Sequence, residues 1–155
     1  QREQFVLVDE SGPKAVAMLK AAGYEIVETL LLPDAQKKIE HELIRLADSR
    51  QVDLIITTGG TGMSVRDCTP EATLAVATRN VPGIAEAIRA GSMAITKRAM
   101  LGRGASVLRN NTLIVNFNHF LFITDIFKFY FHKIKIRRKN VISAVSLRKR
   151  KSISS

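Results

Sequence analysis

Residues 54–73 constrain this chain more than any other stretch. The apolar run Leu54-Ile55-Ile56 passes through Thr57-Thr58 into Gly59-Gly60-Thr61-Gly62, which places three glycines in four positions. Asp67 follows, then Thr69-Pro70, which reads as a helix N-cap with proline at the first helical position. A strand, a flexible loop and a helix start in that order can expose backbone N–H groups at the turn. The helix N-terminus adds roughly +0.5 charge against which an anion can lie. A carboxylate beside a phosphate site calls for a cation between them, so Asp67 implies Mg²⁺.

The flanking pattern supplies a frame for such a loop. Strands are expected at residues 5–8, 24–32 and 53–57. A helix beginning at the 9–13 turn presents Ala15, Val16, Met18, Leu19 and Ala22 on one face and closes at Gly23. A second follows Asp34 and buries Ile39, Leu43, Leu46 and Ala47, with Lys37, Lys38, Glu40 and Arg45 outside. Proline starts two more, at 70–79 and 82–94, the latter packing through Ile84, Ala87, Ile88 and Gly91. Residues 99–109 and 112–115 read as strands joined at Asn110-Asn111, a pair that tolerates the positive φ of a tight hairpin. Alternating strands and helices predict an α/β domain, a mostly parallel sheet covered on both faces. Ligands of such sheets lie beyond the carboxyl ends of the strands, where residues 59–62 fall.

Charge separates the chain into two parts. The net charge is +10 over 155 residues, yet residues 1–116 carry 14 basic and 13 acidic side chains, whereas 117–155 carry 10 basic and one acidic, Asp125. All nine glycines and four prolines precede residue 117, while six of seven phenylalanines follow residue 116. A domain over 1–116 and an aromatic, then basic tail over 117–155 are therefore expected, the tail reading as disordered or as a disrupted reading frame. Its aromatic part, 117–131, is interrupted by charge and falls short of the ~20 apolar residues of a membrane span. The basicity belongs to this tail, so no specific nucleic-acid partner is expected. One cysteine, Cys68, excludes an internal disulfide, and His41, His119 and His132 lack metal-ligand spacing. With no secretory signal in view, a cytoplasmic setting is expected.

Several ordered blocks carry a family resemblance: Asp9-x-Ser11-Gly12-Pro13, Leu32-Pro33-Asp34, Thr57 to Gly62, Arg66-Asp67, Thr69-Pro70-Glu71-Ala72-Thr73, Val81-Pro82-Gly83-Ile84-Ala85-Glu86-Ala87, Thr96 to Leu101 and Thr112 to Asn116. In this order and separation they resemble the Mog/MoaB family of molybdenum cofactor biosynthesis over most of residues 9–116. The resemblance implies a three-layer αβα molybdopterin-binding fold, commonly trimeric. It implies a molybdopterin adenylyltransferase as well: Mg²⁺-dependent transfer of AMP from ATP to molybdopterin with release of pyrophosphate. By position, Asp34 and Asp67 match the family's two functional aspartates, assigned to Mg²⁺ or to orienting the triphosphate. Gly59, Gly60, Thr61 and Gly62 match its nucleotide and pterin phosphate loop, and Thr69 and Glu71 border the same site.

The departures matter too. Gly102 stands where the family usually has serine, the first strand is absent or replaced by residues 5–8, and the family's closing loop and final helix do not follow Asn116. These losses leave an alternative, an inactive truncated homologue that only binds pterin or nucleotide. Plainer roles compete at single positions. Asp34 suits an N-cap, Asp67 a helix-start carboxylate and Cys68 a buried small hydrophobe, while Arg98 and Arg103 are either phosphate contacts or solvated surface.

Overall fold

The computed structural model describes residues 11–21, 25–117 and 141–147. Six strands form one sheet: β1 (Ile26–Leu32), β2 (Leu54–Thr58), β3 (Arg79–Asn80), β4 (Ser106–Arg109), β5 (Thr112–Phe117) and β6 (Val141–Leu147), in the order β1-β6-β2-β5-β4-β3. The pairs β1–β6, β6–β2 and β2–β5 are parallel, whereas β4 is antiparallel to both β5 and β3. Among the described residues four α-helices accompany it: α1 (Ser11–Ala21), α2 (Gln36–Ile44), α3 (Thr69–Val76) and α4 (Pro82–Met93).

Side-chain alternation along the central strands explains the layering, because successive residues of a strand face opposite sides. Leu54 and Ile56 of β2, with Leu113, Val115 and Phe117 of β5, point to one face and pack with Leu19 of α1 and Ile84 and Ile88 of α4. Ile55 and Ile114 point to the other and meet Ile39 and Leu43 of α2, Ala72 and Val76 of α3, and Leu30 of β1. Every residue of β2 is buried, as a parallel strand covered on both faces requires. The expected three-layer αβα arrangement with a mostly parallel sheet is thus the one observed.

The second helix does bury Ile39, Leu43, Leu46 and Ala47, the last two on a π-helical turn, Arg45–Ser49, that continues α2. Asn110 has φ 50° at the β4–β5 turn, which is the hairpin expected there. Other local expectations need correction. The helix predicted to residue 79 stops at Val76, because Arg79 and Asn80 pair with Leu108 and Val107 and Thr78 donates its N–H and hydroxyl to Leu108 O. Residues 99–105 are no strand. Lys97–Leu101 turns as a 3₁₀ helix, and the Arg103 and Ala105 amides donate to Thr61 O and the Asn116 side chain instead. Gly91 lies on the exposed side of α4, whose buried face is Ile84, Ala85, Ile88 and Ser92.

Residues 141–147, where no regular structure was expected, form β6 between β1 and β2, and Phe117 is a fully buried member of β5 rather than the start of a tail. The strand expected at 5–8, the closing Gly23, the absence of a final helix after β5 and the rest of the tail lie outside the described residues.

Candidate functional site

The loop after β2 turns on two left-handed glycines, Gly59 (φ 83°) and Gly60 (φ 68°), a conformation that side chains disfavour. Its start is pinned by Gly59 N–H donating to Phe117 O at 3.4 Å, and its end by Thr69 N–H donating to Gly60 O at 3.2 Å. Gly62 is required by close approach rather than by φ. A Cβ there would stand 2.8 Å from Asp67 Oδ2, so the carboxylate occupies the space a side chain would need. Asp67 is itself 8% exposed, and its Oδ2 accepts the Ser64 N–H at 3.0 Å while Ser64 O accepts the Asp67 N–H at 3.0 Å. Part of its duty is therefore to close the turn over residues 64–67.

Around this loop sit polar atoms that the fold leaves unsatisfied. Among the described residues, the hydroxyls of Thr58 (1% exposed) and Thr69 (0%) and the Oε2 of Glu71 are buried without a hydrogen-bond partner. An unpaired buried polar group costs about 1–3 kcal/mol, so three around one loop demand an explanation, and a ligand is one. Thr69 consequently does not cap α3 as expected. It is the first helical residue, Cys68 holds the N-cap position, and no side chain caps that end.

Ala35, not Asp34, holds the N-cap position of α2. The aspartate nonetheless belongs to the same neighbourhood, since the Cys68 thiol is pushed up first by burial and then by the negative charges of Asp34, Glu71 and Asp67. Three carboxylates, from the β1–α2 connection, the loop and α3, thus act electrostatically on one side chain. Among the described residues, no three His, Cys, Asp or Glu side chains converge as a ready-made metal cage.

Two residues organise the site in ways the sequence pattern did not reveal. Arg103, half-buried, spends its guanidinium on the loop and its flank. Its Nε donates to Gly62 O at 2.9 Å, its Nη2 to Asp67 O at 2.7 Å and its Nη1 to Glu71 Oε1. Arg98 remains exposed. Asn116, at the carboxyl end of β5, is buried and donates from Nδ2 to Thr57 Oγ1 (2.7 Å) and Thr73 Oγ1 (3.0 Å), while its Oδ1 accepts the Ala105 N–H (3.0 Å). It ties β2, β5, α3 and the segment before β4 together just below the loop. A polar residue at the end of an apolar strand was the available signal for it.

A profile of the family described as "Probable molybdopterin binding domain" matches residues 5–120. The chain belongs to that family. Among its relatives, the molybdopterin adenylyltransferase of Haemophilus influenzae is 42% identical over 113 residues, which are 72% of this chain and 57% of that protein. The enzyme of that name from Escherichia coli K12 is 47% identical over 90 residues, 58% of this chain and 46% of its own length. The chain thus spans about half the length of these curated relatives. Among solved structures, a molybdopterin biosynthesis Mog protein from Mycobacterium ulcerans matches with a TM-score of 0.73 and 35% identity, covering 83% of this chain and 86% of that one. A molybdopterin biosynthesis enzyme, MoaB, from Thermus thermophilus matches with a TM-score of 0.69 and 35% identity, covering 77% and 76%. The glycine loop, the buried Asp67 and Asn116 all lie inside the residues that the family profile covers.

Proposed function

We propose that this molybdopterin-binding domain binds molybdopterin and ATP at the loop after β2 and transfers AMP to the pterin. In that reaction an oxygen of molybdopterin bonds to the α-phosphorus of ATP, the bond from that phosphorus to the bridging oxygen breaks, and pyrophosphate leaves. The observation that carries the reading is the set of unsatisfied buried atoms, Thr58 Oγ1, Thr69 Oγ1 and Glu71 Oε2, around a loop with two left-handed glycines. The names of the adenylyltransferase relatives support molybdopterin as a ligand for such a site.

In this reading Gly59, Gly60, Thr61 and Gly62 approach phosphate through their backbone, and Thr69 and Glu71 line the opening of α3. Asp34 and Asp67 hold Mg²⁺ or orient the triphosphate. The donor set fits that ion, since carboxylate oxygens are hard ligands and Mg²⁺ is commonly held by one or two carboxylates plus substrate phosphates. Asp67 has one oxygen engaged by Ser64, and its charge and that of Asp34 both act on Cys68, so the chain offers few ligands and leaves the rest to phosphate and water. Bound there, Mg²⁺ would neutralise charge on the phosphates. The protein's own share of the work is positioning and the fixed dipoles of the loop.

The reading extends to assembly and location. Met63, Val65, Met100 and Leu101 are exposed apolar side chains on the loop and the 3₁₀ turn beside it, which supports an interface between copies, a trimer by the family resemblance. Light scattering of the purified chain tests this. A cytoplasmic setting suits the free Cys68 thiol, and no helix among the described residues is long and apolar enough to cross a membrane.

Activity is tested by incubating the full chain with molybdopterin, ATP and Mg²⁺ and assaying adenylylated pterin and pyrophosphate. Formation of both is expected. A folded chain that yields neither overturns the transfer reaction, and ATP or pterin binding without product would assign it a binding role alone.

A further inference from the structure

We propose that Arg103 is a positioning residue that aims the amides of the glycine loop at the ligand's phosphate from behind. The inference rests on the loop being a phosphate site and goes beyond it by naming what sets the loop's shape. Four bonds run from this one residue to the loop and its flank. Its backbone N–H donates to Thr61 O at 3.0 Å, Nε to Gly62 O at 2.9 Å, Nη2 to Asp67 O at 2.7 Å, and Nη1 to Glu71 Oε1.

The consequence follows from peptide geometry. In a planar trans peptide the C=O and the following N–H point in opposite directions. Drawing the Thr61 and Gly62 carbonyls toward Arg103 therefore turns the Gly62 and Met63 N–H groups away from it. Neither N–H donates to any group among the described residues, and the Gly60 N–H also lacks an acceptor there. Successive amides turned one way form an anion-binding concavity. The guanidinium is the right instrument, because its rigid fork reaches several acceptors at once, where an ammonium would offer a single point charge. Glu71 Oε1 completes the fork and leaves Oε2 as the unsatisfied atom. Arg103 thus acts through the loop and touches no phosphate itself.

Titration of the full chain with inorganic pyrophosphate and with ATP, by calorimetry and by amide NMR, tests the proposal on wild type, Arg103→Lys and Arg103→Met. In wild type the Gly62 and Met63 amide resonances are expected to shift on pyrophosphate addition. Arg103→Lys keeps the charge but not the fork, and is expected to weaken binding about tenfold or more and to lose those shifts in a chain whose melting temperature shows it folded. A direct phosphate contact by the charge would instead leave the lysine variant close to wild type and hurt only methionine, which overturns the proposal. Wild-type binding without movement of the Gly62 and Met63 amides also overturns it, whatever the variants do. If wild type binds neither anion, the phosphate-loop reading falls and carries this one with it.

Discussion

The two flanks of β2 are built to different standards. On one side β2 and β5 pair in continuous register from Leu54↔Leu113 to Thr58↔Phe117. Beneath the loop Asn116 locks that pair to Thr57 and Thr73. On the other side β6 pairs with β2 and β1 through register shifts, one between Ile55 and Thr57 and two along Ile26–Leu30. The regular flank carries the site, and the irregular one closes the sheet. The continuous pairing and the Asn116 network thus lie where the loop leaves the sheet, and a strand far away in sequence fills the gap between β1 and β2.

Breaking the irregular flank should have the largest effect. Val145 pairs with both Leu30 and Thr57 in a central strand, a position that excludes proline because the ladder needs its N–H. Val145→Pro is expected to remove about 3 kcal/mol or more of a total of roughly 5–15, read by urea unfolding. Unchanged stability would mean that β1 and β2 do not depend on β6. On the regular flank, Asn116→Ala strands the Thr57 and Thr73 hydroxyls and the Ala105 amide, and a loss on the order of 2–4 kcal/mol is expected from the same measurement. A loss below about 1 kcal/mol would show that the network is dispensable.

The same contrast explains what could be read from the sequence. Glycine spacing, the Thr69-Pro70 start and the apolar rows of α2 and β2 are local signals, and they located the loop and the layers. The Leu32-Pro33-Asp34 and Arg66-Asp67 blocks pointed to two carboxylates whose charges both act on Cys68. What could not be read depends on distant partners. Nothing within residues 141–147 says that two strands more than 80 residues upstream stand apart to receive it. Arg103 looked like any arginine after a glycine until the Gly62 and Asp67 carbonyls, 36 to 41 residues earlier, were beside it. Thr69 and Asp34 do not hold the N-cap positions because each fits the local capping rule while the helix starts one residue away from where that rule puts it.

Gly62→Ala sharpens the comparison inside the site. The new methyl meets Asp67 Oδ2, 2.8 Å from where the Cβ must stand, so the carboxylate has to move and its bond to Ser64 N–H is strained. Stability should fall by about 1–2 kcal/mol, as for other overpacked positions. Pyrophosphate affinity should fall about tenfold, because the amide of residue 62 moves with the loop. Calorimetry that returns wild-type affinity would show that neither Asp67 nor this amide is part of the phosphate site.

The smallest effect belongs to β1, an edge strand of the sheet. Glu28 on β1 is held by Arg45 and Arg50, and although burial pushes its carboxyl up, hydrogen bonds and charge from those two arginines outweigh it and leave the carboxyl below its ordinary value of 4.5. A carboxyl depressed by folding stabilises the folded state fully above its unfolded value and loses that contribution as pH falls through the folded one. Arg45 and Arg50 are themselves about a third or more exposed, so the pair is partly screened and is worth about 1 kcal/mol at neutral pH. Glu28→Gln should therefore lower stability by about that amount at pH 7. The gap between the two proteins should close once pH drops below the depressed value, and pyrophosphate affinity should not change at any pH where both are folded. A gap that persists undiminished in acid would trace the loss to packing of the β1 edge rather than to charge.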